Sequence, residues 1–232
     1  MSRRLSIRWM PDPPSEPTST LVLTSPAEYY VDVRFLIEGE NGPLSSKPIV
    51  QWAFAGTCTH EIVDGLTVGA WIHEIDSQVE KVYQDSGHFT DMANGDSLET
   101  GRMKDEYGVE RDYEEVWRDQ SVEHADCCVL QMKNQRSVGY FIQIGEHAQG
   151  MIRTKEGGIS VIRWNAGGGL WRVVAQSGTQ VDWFPVPEAL APLQTGAVVI
   201  ASGHSWNVVE RLDHTTCRVD DEDGSQSLAP EH

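Results

Sequence analysis

The stretch PIVQWAFAGTCTHEIVDGLTVGAWIHEIDS, residues 48–77, contains two runs in which ring-bearing side chains fall two positions apart. Trp52 and Phe54 form the pair in the first run, and Trp71 and His73 form the pair in the second. Successive side chains of a β-strand point to opposite faces, so each pair lies on one face of its strand. Two neighbouring antiparallel strands can bring those two faces together.

A barrel built on these strands would have an aromatic wall if the shared face points inward. The same parity places Ile75 beside Trp71 and His73. Such a wall suits a flat or apolar small molecule, with His73 and Asp76 as polar anchors. The predicted ligand-binding residues are therefore Trp52, Phe54, Trp71, His73 and Asp76. The alternative is that the aromatic side chains simply fill the barrel, as side chains do in many small barrels.

The sequence gives little evidence of catalysis. In HEID, residues 73–76, His73 lies close to the carboxylate of Asp76, and such a histidine is held in one tautomer and made more basic. These two residues are the catalytic candidates, with His73 as a general base. There is no nucleophile elbow, P-loop or dinucleotide fingerprint, and the histidines form no HxH or HxxxH pair. We predict no metal and no cofactor, and the sequence leaves open whether the protein is an enzyme.

Alternation with a period of two recurs along the chain and predicts a mostly-β fold with tandem antiparallel barrels. Two runs show it most clearly, with one face formed by Val31, Val33, Phe35 and Ile37, and the other by Val138, Tyr140, Ile142 and Ile144. Asp32 and Arg34 lie on the opposite face of the first run. Residues 112–120 and 187–196 are the candidates for one or two short helices.

The middle of the chain differs in composition from its two halves. Residues 91–125 are charged and poor in β-branched side chains, which is typical of a junction between domains. The sequence therefore predicts an N-terminal barrel with its junction over 1–125 and a C-terminal barrel over 126–214. An acidic tail of low hydrophobicity follows over 215–232.

Composition narrows the possible partners and location. The formal net charge of −17 would repel phosphate backbones, so we expect no nucleic-acid partner. Such a surface favours basic protein surfaces or cationic ligands, but many proteins are acidic only for solubility, and this simpler explanation has the greater weight. No apolar run approaches the ~20 residues of a membrane helix. The first residues lack the apolar core of a secretory signal, and the four cysteines have no paired spacing. We therefore expect a cytoplasmic or nuclear protein with reduced thiols and no membrane association.

An ordered set of short motifs resembles the fungal Hri family. The motifs are SIRW (6–9), EPTSTLVLTSP (16–26), QWAFAG (51–56), Trp71 with Asp76 five residues later, DSG (85–87), ETG (99–101), YEEVW (113–117) and GHSWNVVE (203–210). The family takes its name from an interaction with a casein-kinase-one homologue. The resemblance implies two lipocalin-like β-barrels in tandem, a fungal cytosolic or nuclear protein and a protein-kinase partner. It supplies no catalytic residues.

Three functions remain open at this point. The first is a small-molecule-binding or adaptor protein that holds an apolar or aromatic ligand in the N-terminal barrel. The second is a cofactor-independent cyclase or isomerase of fungal secondary metabolism, since a concerted ring closure needs little beyond shape and one or two hydrogen-bond donors. The third is a protein-interaction module whose barrels are filled.

Overall fold

The computed structural model describes residues 1–37, 48–105, 107–122 and 124–213. The first eight strands are β1 Ser2–Trp9, β2 Thr18–Thr24, β3 Tyr29–Leu36, β4 Val50–Val63, β5 Leu66–Asp76, β6 Tyr83–Asp91, β7 Ser97–Lys104 and β8 Glu110–Asp119. The next seven are β9 Cys127–Lys133, β10 Ser137–Ile144, β11 His147–Thr154, β12 Ile159–Gly167, β13 Leu170–Ser177, β14 Val198–Ala201 and β15 His204–Leu212. Two 3-10 helices, Val181–Trp183 and Pro187–Ala189, precede β14.

Strands β1 to β8 form a closed antiparallel barrel in sequence order, because β8 pairs back onto β1. The longest hairpin joins β4 to β5 through Asp64 and Gly65, whose φ angles are 52° and 82°. Two consecutive residues with positive φ are typical of the tight turns that match the twist of antiparallel strands. This hairpin carries the aromatic pairs identified in the sequence.

Strands β9 to β15 form a curled seven-stranded half-barrel, in the order β13-β12-β11-β10-β9-β15-β14. One face of this sheet packs on the barrel, and the other is covered by the segment that contains the two 3-10 helices, including Phe184 and Leu190. The prediction of a mostly-β protein with tandem barrel-like units is confirmed. The closed barrel is the N-terminal unit, and the second unit is the half-barrel.

The barrel presents its apolar side outward, against the second sheet. Along β3, Val31, Val33 and Phe35 belong to the core that the two sheets share, whereas Asp32 and Arg34 face the barrel interior. The predicted alternation is therefore correct for this strand, except that Ile37 lies beyond its end and is exposed. Part of the apolar surface of the barrel is therefore buried on its outside, against the adjacent sheet.

Residues 91–125 are not the loose junction that their charge predicts. They contain β7 and β8, which close the barrel. The helix predicted over 112–120 is wrong for the same reason, since this segment belongs to β8. Its inward residues alternate as Tyr113, Glu115 and Trp117, and the charge of Glu115 between two aromatic residues hides the period of two. Of the second helical candidate, 187–196, only the 3-10 turn Pro187–Ala189 is helical.

The two units are connected by a short segment that lies between the end of β8 at Asp119 and the start of β9 at Cys127. Tyr140, Ile142 and Ile144 lie in the shared core on the far side, with Val138 packed against it, so their predicted common face is also correct. The acidic tail predicted over 215–232 lies outside the described residues. None of the helices in the described part of the chain could cross a membrane.

Candidate ligand-binding site

A cavity of about 390 Å³ lies inside the N-terminal barrel. Trp52, Phe54, Trp71 and His73 all line it, so the structure brings together four of the five residues that the sequence singled out. Asp76, the fifth, is buried behind them and hydrogen-bonds to His73 and Trp52. The barrel is therefore hollow beside its aromatic wall.

The aromatic wall is a stack centred on the imidazole of His73. The ring of Phe54 lies parallel to it, with centroids 4.2 Å apart and an interplanar angle of 6°. Tyr83 packs against His73 at 4.4 Å, and Trp52 packs against Phe54 at 4.5 Å. Aromatic contacts at these distances hold each ring in one orientation. Trp52, Phe54, His73 and Tyr83 therefore form one continuous set of packed rings.

Asp76 fixes the orientation of His73 from behind. Its Oδ2 is 2.8 Å from Nδ1 of His73, and the same carboxylate accepts hydrogen bonds from Nε1 of Trp52 at 3.1 Å and the hydroxyl of Tyr83 at 3.0 Å. Burial alone would raise the pKa of Asp76, but the hydrogen bonds from His73, the Gln78 backbone and Trp52 hold that pKa below its usual range. The ionised carboxylate selects the tautomer with a proton on Nδ1. Nε2 of His73 is buried and has no hydrogen-bond partner among the described residues.

The sequence placed Ile75 on the cavity face, and this is wrong. The register between β4 and β5 shifts between Ala55 and Gly56, so that His73 opposes Gly56 while Ile75 opposes Ala55. One extra residue in β5 reverses the alternation beyond it, which is the effect of a β-bulge. Ile75 therefore lies in the shared core outside the barrel, and Asp76 returns to the inner side.

Next to the aromatic wall, β3 and β8 carry a buried ionic network that sequence reasoning missed. Arg34 donates to Asp32 at 2.8 Å and to Glu115 at 3.2 Å, and Arg4 binds the same oxygen of Glu115. Although burial opposes its charge, the carboxylates of Asp32 and Glu115 keep the pKa of Arg34 above its usual range. The guanidinium of Arg34 lies 4.9 Å from the ring centroid of Trp52, so this network also contacts the aromatic wall.

Glu99 on β7 is a buried carboxyl group with two neutral donors. It accepts hydrogen bonds from the hydroxyl of Tyr113 at 2.7 Å and from Nε1 of Trp117 at 2.8 Å. Burial and the nearby charge of Glu115 raise the pKa of Glu99 to about 8. Gly87 makes room for it, since a Cβ there would lie 2.5 Å from Oε1 of Glu99. Burial and Glu115 therefore favour the protonated form of this carboxyl group.

Glycine also makes room for Trp71 on the aromatic side. A Cβ at Gly69 would lie 2.5 Å from the indole of Trp71 and 2.9 Å from the ring of Phe89. The indole packs over this glycine, between Phe89 and His60. The absence of a side chain at Gly69 thus lets the indole of Trp71 lie at the border of the cavity.

The thiols of the described chain are buried and poorly suited to nucleophilic chemistry. Cys58, Cys127 and Cys128 are free and buried, and burial raises the pKa of Cys58 and of Cys127 to about 12. Cys217 lies outside the described residues. Across the part of the chain that the structure describes, no three His, Cys, Asp or Glu side chains are grouped to hold a metal ion.

These features define a class of protein, namely a hollow eight-stranded barrel joined through a shared core to a curled half-barrel. A sequence profile described as Protein HRI1 matches residues 1–210, so the chain belongs to the HRI1 family, as its motifs indicated. The fold is also similar to the crystal structure of an uncharacterised protein, YLR301w, from Saccharomyces cerevisiae. The TM-score is 0.76 at 22% identity, over 91% of this chain and 98% of that one, and at this identity the likeness concerns the fold alone. No curated protein matches the sequence.

Proposed function

We propose that this protein binds a small, flat organic molecule inside the N-terminal barrel. The observation that carries the proposal is the cavity of about 390 Å³ bordered by Trp52, Phe54 and Trp71. This volume falls within the ~300–1,000 Å³ range of small-molecule sites. Aromatic rings on one side and hydrogen-bonding groups on the other are the composition expected of a site that fixes both the plane and the orientation of its ligand.

The binding test uses intrinsic tryptophan fluorescence. A library of small aromatic compounds is screened for quenching or a shift of emission, because a ligand in this cavity contacts Trp52 and Trp71. Trp71→Ala should weaken the binding of any hit by ~1–3 kcal/mol, the value of a buried aromatic contact.

Trp171→Ala is the matched control for this substitution. Trp171 is another half-buried tryptophan, but it packs against the core of the second sheet. The Trp171→Ala substitution should leave the affinity for the ligand unchanged. Equal losses in the two variants, or no hit in the library, would contradict the proposal.

A second candidate function is a cofactor-independent isomerase or cyclase, and the geometry of His73 favours it. Asp76 holds the proton on Nδ1, so Nε2 is the basic nitrogen, and it lacks a partner in the described chain. A base of this kind can remove a proton from carbon next to a carbonyl group. The test is deuterium incorporation into small ketones in D₂O, which the wild-type protein should accelerate and His73→Gln should not. Equal rates with both proteins would exclude this function.

The remaining expectations concern partners and location. A protein-kinase partner and a cytosolic or nuclear place in a fungal cell rest on the family resemblance, and the net charge of −17 is compatible with a basic protein surface as partner. Binding of a purified casein-kinase-one domain, measured at low and high salt, tests the first of these.

A further inference from the structure

The cavity wall contains many more carboxyl groups than cations. Six acidic residues line it: Asp32, Asp85, Asp91, Glu99, Glu115 and Asp119. Arg34 is the one arginine among the lining residues, and His60 and His73 are the other basic side chains. The lining of the cavity therefore attracts positive charge by its own composition, independently of the net charge of the chain.

Most of these acidic groups already have partners. Asp32 and Glu115 bind Arg34, and Glu99 accepts from Tyr113 and Trp117. Asp119 accepts from the hydroxyl of Ser2 at 2.5 Å. These four carboxyl groups are therefore already engaged within the protein.

Asp85 on β6 is an available carboxylate beside the aromatic wall. Its one hydrogen bond among the described residues comes from the backbone N–H of Ser86 at 2.8 Å, and it takes part in no ion pair there. It is the register partner of Trp71, and both side chains line the cavity. Side chains directly opposite each other on antiparallel strands have Cβ atoms about 4.5–5.5 Å apart. A carboxylate thus lies next to an exposed part of an indole.

A second observation indicates a missing donor in the same cavity. Oδ1 of Asp32 is buried and has no hydrogen-bond partner in the described structure, although Oδ2 binds Arg34. Asp32 is only 2% exposed and lines the cavity. Nε2 of His73, on the neighbouring wall, is another acceptor without a partner. Buried acceptors of this kind are costly unless a donor satisfies them.

We propose that the ligand of this cavity is an arylalkylamine in its protonated form, with Trp71 packing against its ring and Asp85 binding its ammonium group. The proposal rests on the small-molecule function proposed above and names the chemical class of the ligand. The ammonium supplies N–H donors to a wall rich in acceptors, and the aromatic rings around it interact favourably with a cation. Burial raises the pKa of Asp85, and a bound cation would offset that effect.

The test compares three probes that share an indole and differ in charge. Tryptamine is cationic, tryptophol is neutral and indole-3-propionate is anionic at pH 7. Their affinities for the full chain are measured by isothermal titration calorimetry. Tryptamine should bind about tenfold more tightly than tryptophol, since a hydrogen bond to a charged group contributes that much, and indole-3-propionate should bind most weakly.

A substitution then assigns the preference to Asp85. Asp85→Asn should reduce the tenfold preference for tryptamine over tryptophol to about threefold or less and leave the affinity for tryptophol unchanged. Glu156→Gln, which removes an exposed charge in the turn between β11 and β12, should keep the preference. Circular dichroism of both variants verifies the fold, and the comparison of the three probes on the wild-type protein needs no variant.

The possible results separate the two proposals. If tryptophol or indole-3-propionate binds as tightly as tryptamine, the cavity binds aromatic molecules but the cationic class is wrong. If Asp85→Asn retains the full preference, Asp85 is not the group that binds the ammonium. If none of the three probes binds at millimolar concentration, the small-molecule function fails, and the inference fails with it.

Discussion

At the scale of single residues, Glu99 is a buried carboxyl group in an environment that disfavours its charge. It is 7% exposed, it lies directly opposite Glu115 on the adjacent strand β8, and its two hydrogen-bond donors are the neutral groups of Tyr113 and Trp117. Neutral donors compensate a negative charge less well than an ion pair does. The protonated form is therefore favoured in the folded protein.

This environment makes stability depend on pH in a defined direction. The pKa of Glu99 is raised from 4.5 to about 8 in the folded state, so between these values the folded protein holds a proton that the unfolded chain has lost. The free energy of unfolding should then fall as the pH rises through this window. Glu99→Gln, which mimics the protonated form, should flatten the decrease when urea unfolding is measured from pH 5 to pH 8. A decrease as steep in the variant as in the wild type would show that Glu99 does not cause it.

At the scale of the element, β8 shows what the sequence can and cannot predict. The aromatic pairs on β4 and β5 were found because ring-bearing side chains recur there two positions apart, and this face of each strand points to the cavity. On β8 the inward residues include Glu115, whose charge is balanced by Arg4 and Arg34 from β1 and β3. Such a partnership depends on tertiary pairing across more than 80 residues, which local periodicity does not contain. The bulge that moved Ile75 is likewise a property of the β4–β5 pairing.

The two neighbouring glutamates of β8 provide a matched test of this network. Glu115→Gln should destabilise the protein by roughly 3 kcal/mol, because it leaves two buried arginines with one partner fewer. Glu114→Gln should cost less than ~1 kcal/mol, since an exposed ion pair contributes little. Glu114 binds Arg8 at 3.3 Å, and both side chains are about one-third exposed. Urea denaturation measures both variants, and similar losses would show that the interior network is no more important than a surface pair.

At the scale of the whole molecule, the barrel and the half-barrel share one core. Leu21, Val31 and Ala53 of the barrel belong to the same cluster as Tyr140 and Met151 of the second sheet. The strand patterns of the sequence predicted two units, but they did not predict that the two units pack together around one core. The sequence also predicted a long junction, because the charged strands that close the barrel resemble a linker in composition.

Polar side chains of the second sheet reinforce this contact. Arg163 donates to the carbonyl oxygen of Val33 at 2.6 Å and to Oε1 of Gln149 at 2.7 Å. Gln149 in turn donates to the carbonyl oxygens of Leu21 at 2.8 Å and Val31 at 3.0 Å. These bonds satisfy backbone acceptors of β2 and β3 within the interface. Separation of the two units would expose these backbone acceptors together with the shared apolar surface.

We therefore expect one cooperative unfolding transition for the two units. Tryptophans occur in both, for example Trp71 in the barrel and Trp206 in the second sheet, so fluorescence reports on each. The urea midpoints from tryptophan fluorescence and from far-ultraviolet circular dichroism should coincide. Two separate transitions, or midpoints that differ between the probes, would mean that the units fold independently.

The hollow barrel as a ligand site is tested most directly by nuclear magnetic resonance of the indole N–H groups. Tryptamine is titrated into ¹⁵N-labelled protein, and the eight tryptophan indole signals are followed. The resonances of Trp52 and Trp71, which line the cavity, should shift in a saturable manner, while those of Trp171 and Trp206 in the second sheet should stay in place. Shifts confined to the second sheet, or none at millimolar tryptamine, would contradict binding in the barrel.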